Sequence, residues 1–305
     1  MMRCSHDDRM RRALVSLDGL SVGDSFGECF FSLSLDPVAL RHRLENRLRP
    51  GWQWLYTDDT EMAMGILEVL DRHQRIDQDD LAQVFARRYA ADNRRGYGGG
   101  AHQVLMRLGG GANWRQASQE LFGGAGSLGN GGAMRVAPLG VYFAEEDSSV
   151  IVEQAQLSAE VTHAHPEGQA GAIAIALASA YAWNHRGGGN PREKRELFEH
   201  VLASTPPSVT RQGIEAAMEL PRSTALGDAV RQLGNGSRVT APDTVPFALW
   251  CAARHFNSFP DAMWTTVSGG GDIDTNCAIV GGIVACSDPR GAPSEWLAAR
   301  EPLNW

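Results

Sequence analysis

Two short segments of this 305-residue chain concentrate hard oxygen ligands: Tyr56-Thr57-Asp58-Asp59-Thr60-Glu61 and Gly269-Gly270-Gly271-Asp272-Ile273-Asp274-Thr275. Each packs aspartate and threonine into one turn that opens an apolar helical run. A helix start needs one such group to cap its free N–H groups. Thr57 or Asp58, with Glu61 completing a capping box, would suffice at the first, and Asp272 or Asp274 at the second. Two carboxylates on one turn repel each other unless a cation intervenes. If the two turns meet in space they offer about six oxygen ligands, a set for Mg²⁺, Mn²⁺ or Ca²⁺ rather than zinc or copper. Their aspartates could neutralise two divalent ions, and ions about 4 Å apart can hold a bridging water and orient substrate hydroxyls.

The elements that would position these turns read as helices. Apolar residues recur at helical spacing in Met62, Ile66 and Leu70, in Leu81, Val84, Phe85 and Tyr89, and in Phe247, Trp250, Cys251 and Phe256. Asp79 and Asp80, Pro191 and Asp243 mark helix starts, and alternating strand patterns are hard to find. The expected class is all-α. Glycine is the feature a plain bundle does not explain, because many of the 34 glycines cluster at 96–100, 109–111, 123–132 and 269–271. Such clusters break helices and free backbone N–H groups to meet a ligand.

With 43% hydrophobic residues the chain can bury a substantial core. One domain over 1–305 is expected, with 1–10 a loose N-terminal segment and 190–236 peripheral helices without a candidate site. The net charge of −8 disfavours a phosphate-tracking nucleic-acid surface. Five cysteines, an odd number without CxxC spacing, argue against a disulfide framework and a zinc knot and favour a reducing compartment. No secretory h-region opens the chain. The most apolar stretch, Gln169 to Trp183, is shorter than the ~20 residues that cross a bilayer. A cytoplasmic protein is expected.

Six motifs follow one another along the chain: Gly23-Asp24-Ser25-Phe26-Gly27, Thr57-Asp58-Asp59-Thr60, Gly96-Tyr97-Gly98-Gly99-Gly100, Gly129-Asn130-Gly131-Gly132-Ala133-Met134-Arg135, Thr162-His163-Ala164-His165-Pro166 and Gly270-Gly271-Asp272-Ile273-Asp274-Thr275. In this ordered set the sequence resembles the ADP-ribosylglycohydrolase family, which includes the dinitrogenase reductase-activating glycohydrolase and the ADP-ribosylarginine and ADP-ribosylserine hydrolases.

The resemblance implies a compact, single-domain all-α fold with two Mg²⁺ or Mn²⁺ ions between helix N-termini. Thr57, Asp58 and Asp59 match the first ligand motif, and Asp272, Asp274 and Thr275 the second. It places Gly96, Gly98, Gly99 and Gly100 at a diphosphate, Asn130, Gly131, Gly132 and Met134 along the distal ribose and phosphates, and His163 facing the ligand. Arg135 either contacts phosphate or holds its loop internally, and His165 is structural. Asp24 supports its turn or the metal ligands, and Trp52, Trp54 and Tyr56 are expected in the core. Many members carry a glutamate four residues after the second glycine of GDxxG. Phe31 stands there in this chain, and the nearest acid, Glu28, is the substitute catalytic candidate beside Asp58 and Asp59.

The activity implied is metal-dependent hydrolysis of the bond between ADP-ribose and an acceptor, with a protein arginine first in line. A serine linkage or a small ADP-ribose derivative such as O-acetyl-ADP-ribose is the alternative partner. Rival readings are a catalytically silent ADP-ribose-binding protein and an antitoxin that occludes an ADP-ribosylating toxin.

Overall fold

Glycines spaced four apart bring two long helices into backbone contact, and the rest of the architecture is arranged around that pair. The computed structural model describes residues 5–33, 36–188 and 193–304. Among these residues there is no extended strand; only two isolated bridges occur, Trp54 with Arg300 and Gly129 with Thr240. The helices that position the site are, in chain order, α1 (His6–Leu33), α2 (Asp58–His73), α3 (Gln78–Ala91), α4 (Gly99–Gly109), α5 (Ser148–Glu160), α6 (Pro166–Asn184), α7 (Ala241–Arg254) and α8 (Ile273–Ser287). The all-α class expected from the spacing is the class observed.

On α1, Gly19, Gly23 and Gly27 share one face, as residues four apart do. That face lies directly on α8. A methyl group added at Gly23 would stand 2.0 Å from the Cys277 carbonyl oxygen, and one at Gly19 would stand 2.3 Å from that of Gly281. The small residues of α8 and the alanine-rich α6 let helices pack closely on more than one side. Helix α8 is in contact with α1, α6 and α7, and α2 packs against α1 and α3. The apolar core is continuous from Ala13 to Trp296.

Aromatic rings fix the segment that leads into α2. Phe26 packs against Trp54 at 5.2 Å and against Trp296 at 4.7 Å between centroids. Trp54 N donates to the Ala299 carbonyl at 2.8 Å, Glu301 N donates to the Trp54 carbonyl at 2.9 Å, and Tyr56 N donates to the Glu301 carboxylate at 2.9 Å. Trp54 and Tyr56 are buried, as expected of core aromatics, whereas Trp52 is exposed.

The helix starts differ in detail from the sequence expectation. Asp77 caps α3, accepting from Asp80 N at 3.0 Å, so Asp79 and Asp80 lie in its first turn. Asp243 lies in the first turn of α7, and Pro191 is outside the described residues. The expected loose segment 1–10 is helical from His6 onward, because Ser5 and Asp8 cap the start reciprocally: Asp8 N donates to Ser5 Oγ at 3.2 Å and Ser5 Oγ donates to the Asp8 carboxylate at 2.6 Å. The described cysteines Cys29, Cys251, Cys277 and Cys286 are free and buried. Among the described residues no helix is long and apolar enough to cross a membrane.

Candidate functional site

Thr57 caps α2, its hydroxyl oxygen accepting from Asp59 N at 3.4 Å. A second acid reaches this helix start from α1. Asp24 is fully buried and accepts from Thr57 N at 2.9 Å, Thr57 Oγ1 at 2.8 Å, Thr60 N at 3.2 Å and Thr60 Oγ1 at 2.5 Å. The capping needs of the turn are therefore met without Asp58, Asp59 or Glu61. Glu61 is engaged elsewhere, accepting from the Tyr56 hydroxyl at 3.1 Å and pairing with Arg88 at 2.9 Å. The alternative role of Asp58 and Glu61 as a capping box is not realised, which leaves the Asp58 and Asp59 carboxylates for another purpose.

At the second turn Asp272 occupies the cap position of α8 but makes no capping bond. Its carboxylate accepts from Asn130 Nδ2 at 2.6 Å. The two distant turns do meet: carboxylate oxygens of Asp24, Asp59 and Asp274 all lie within 4.8 Å of one another. Asp59 Oδ1 is buried with no hydrogen-bond partner. Burial, followed by the neighbouring acids Asp24 and Asp274, drives the Asp59 carboxyl well above the ordinary range. Burial and then Asp272 do the same to Asp274, and burial followed by Asp24 pushes Asp58 up to about 8. Asp24 is pushed up to about 6 by burial, against the pull of its threonine hydrogen bonds.

An orphaned carboxylate oxygen inside a cluster of mutually repelling buried acids fits a hard divalent cation, which would satisfy the oxygen and cancel the repulsion. A sign follows for stability. These carboxyls have folded pKa values raised above 3.8, so their contribution is fully present below that value and is lost as pH rises through about 6 and about 8. In EDTA the melting temperature is expected to fall between pH 4 and pH 8, and excess Mg²⁺ or Mn²⁺ should flatten that fall while releasing protons. A calorimetric melting series read beside a pH-indicator titration checks this; a melting temperature that rises over the same interval in EDTA would contradict it.

Asp58, Asp59, Asp272 and Asp274 line a cavity of about 790 Å³, with Asp24 beside Asp59 behind them. Of the residues selected from sequence, Asp58, Asp59, Asp272, Asp274 and Thr275 line it. So do Gly96, Gly98, Gly99, Gly100, Asn130, Gly131, Met134 and His163. Gly98 caps α4 without a side-chain bond, and a methyl group at Gly98 or Gly99 would meet nothing within 4 Å. The start of α4 thus lies in the cavity wall with open space beside its glycines, and the first-turn N–H groups of a helix, which lack intrahelical partners, favour an anion.

Three selected residues are not on the wall. Thr57 stands behind it, bonded to Asp24 and Asp59. Gly132 faces away, where an added methyl would lie 3.3 Å from the Gly168 carbonyl oxygen. Glu28 is half-buried on α1, held above the usual carboxylate range by burial and by Asp24. Arg135 lies in the wall and is held internally, donating to the Ser158 carbonyl at 3.1 Å and to Thr162 Oγ1 at 2.8 Å with its guanidinium over the Phe85 ring. His165 caps α6, accepting from Glu167 N at 3.1 Å.

The segment 233–240, which begins within the stretch 190–236 expected to be peripheral and runs past its end, supplies part of the site. Asn235 O accepts from Asp272 N at 3.1 Å, and an added methyl at Gly236 would stand 2.6 Å from Asp272 Cβ. Arg238, Val239 and Thr240 line the cavity. The available signal was the repeated tetrapeptide Leu128-Gly129-Asn130-Gly131 and Leu233-Gly234-Asn235-Gly236. The first of these turns meets the segment that follows the second through the Gly129–Thr240 bridge, and Asn130 N donates to the Val239 carbonyl at 3.4 Å. Phe122 also lines the cavity, an exposed ring in a left-handed backbone conformation (φ 53°) that stands over Gly100.

Comparison with known proteins places the fold in a known family. The ADP-ribosylglycohydrolase family profile matches residues 5–304. Human ADP-ribosylhydrolase ARH3 is 32% identical over 93% of this chain and 88% of its own length. The zebrafish (Danio rerio) ARH3 is 29% identical over 97% of this chain and 85% of its own. A solved structure described as an ADP-ribosylglycohydrolase-related protein complex shares the fold, with a TM-score of 0.66 and 23% identity over 97% of this chain and 94% of that one.

Proposed function

The chain belongs to the ADP-ribosylglycohydrolase family, and from that premise we propose that it is a divalent-metal-dependent hydrolase that releases ADP-ribose from a modified protein, with arginine as the acceptor. The observation that carries the metal dependence is the convergence of Asp24, Asp59 and Asp274 around an orphaned Asp59 oxygen, with Asp59 and Asp274 lining the cavity.

Asp58 and Asp59 from one turn, with Asp272, Asp274 and Thr275 from the other, would hold the ions beside Asp24, whose carboxylate also fixes the first turn through Thr57 and Thr60. When bound, divalent ions supply attraction for ligand hydroxyls and lower the pKa of a water in their shell. The open N–H groups at Gly98 to Gly100 would receive the diphosphate. Asn130, Gly131 and Met134 would flank it, and the exposed face of Phe122 suits a purine ring. Such binding would bring the anomeric carbon C1″ of the terminal ribose toward the acids of the cavity wall. As the C1″ bond to the acceptor breaks, positive charge develops on the sugar, and the carboxylates stabilise it. Asp58 or Asp59 takes the proton of the attacking water. Glu28, off the cavity wall, would reach the reacting atoms only after a backbone change at the end of α1. A chain of net charge −8 suits an acceptor that carries positive charge, as a guanidinium does.

The test is a release assay on arginine-linked and serine-linked ADP-ribosyl proteins, with Mg²⁺, with Mn²⁺ and with EDTA. Release from the arginine linkage is expected, reduced on the order of 100-fold or more by EDTA. Release from serine alone would overturn the acceptor assignment, and undiminished release in EDTA would overturn the metal requirement.

A further inference from the structure

A buried chain of hydrogen bonds in the cavity wall ends on the ring of His163. Arg135 is fully buried and donates through Nη2 to the Ser158 carbonyl at 3.1 Å and to Thr162 Oγ1 at 2.8 Å. A guanidinium has donors and no acceptor, so Thr162 Oγ1 accepts in this bond and keeps its own proton to give. The acceptor the structure provides for that proton is His163 Nδ1, at 2.7 Å. The opposite assignment, with Nδ1–H donating to Thr162, would leave the hydroxyl proton of a buried threonine without a partner. The far side of the ring faces the glycine turn of the cavity wall: a methyl group would lie 3.3 Å from Nε2 if added at Gly129 and 3.1 Å if added at Gly131.

We propose that Arg135 and Thr162 are positioning residues that hold His163 as the neutral Nε2–H tautomer, so that it meets the ligand as a hydrogen-bond donor to an oxygen atom and not as a base. The identity of that oxygen, on a phosphate or a ribose, rests on the reading of the cavity as an ADP-ribose site; the tautomer does not. Burial and the charge of Arg135 push the His163 imidazolium down to about 3, which agrees with a ring that stays neutral. Thr162 and His163 are adjacent in sequence, yet what fixes the ring is the arginine 27 positions earlier than Thr162.

Long-range ¹⁵N–¹H correlation spectra of the full chain without ligand report the tautomer directly. In the wild type His163 is expected to show a protonated Nε2 and an unprotonated Nδ1. Thr162→Val is expected to mix the two tautomers and raise KM for ADP-ribose release about tenfold, the loss of one hydrogen bond, with a smaller change in kcat. Thr162→Ser, which keeps the hydroxyl, is expected to restore both. A protonated Nδ1 in the wild type overturns the proposal whether or not the variants fold, and so does an unchanged tautomer in Thr162→Val. If the wild type shows the expected tautomer but releases no ADP-ribose from any linkage, the substrate reading falls and the positioning of His163 stands.

Discussion

Asp59→Asn is expected to reduce divalent-dependent release of ADP-ribose by at least on the order of 10²–10³-fold while making the protein more heat-stable in EDTA. The two effects have one cause. Asp59 is buried beside Asp24, Asp274 and Asp58, and its charge is disfavoured by burial and by each of them. An amide of the same shape removes that repulsion and with it the metal-free cost of keeping the acids together. The same substitution removes the negative charge and one of the two oxygens with which Asp59 would hold a cation. Added Mg²⁺ or Mn²⁺ should therefore raise the melting temperature of the variant less than that of the wild type. Asp58→Ala and Asp274→Ala are expected to lose release likewise with helical content kept. The combination to measure is activity with melting temperature, in EDTA and in excess metal. Full activity in Asp59→Asn, or a variant destabilised in EDTA, would show that the cluster is not a cation site.

The acid pairs were legible in the sequence because their signal is local. Two carboxylates within one turn exceed what a cap requires, and the structure shows the caps supplied by other groups, Thr57 and Asp24 at α2. The open glycine start of α4 was legible for the same reason. Asp24 was read only as a supporting residue, since its place in the carboxylate cluster depends on how α1 lies on α8. That register is set between Gly19 and Gly281, which are 262 positions apart, and no local pattern states it. The turn at Asn235 was lost within a peripheral stretch because its function is to hold the backbone of Asp272, a role carried by a carbonyl and therefore silent in residue chemistry. Within the segment expected to be loose, the helical part from His6 onward had a visible signal, Ser5 three residues before Asp8.

Gly23→Ala tests whether that register builds the site. Its new methyl would stand 2.0 Å from the Cys277 carbonyl oxygen and 2.7 Å from the carbonyl carbon, and backbone cannot rotate aside as a side chain does. The helices must separate. Overpacking ordinarily costs about 1–3 kcal/mol, and with a rigid neighbour the upper end is expected, about 3 kcal/mol, or a melting temperature lower by roughly 6 °C. The catalytic effect is expected to be the larger one. Asp24 follows Gly23 directly, and Gly27, one turn on, rests against Asp274, where an added methyl would stand 2.7 Å from Cα. Moving α1 from α8 therefore pulls Asp24, with the α2 start it holds, away from Asp274. A displacement of about 1 Å at a catalytic constellation can cost on the order of 100-fold in rate, so release should fall far more than folding does. Gly51→Ala, where an added methyl meets nothing within 4 Å, is the matched control and should change neither quantity. If Gly23→Ala melts like the wild type and turns over at the same rate, the contact between α1 and α8 is not what holds the two acid turns together.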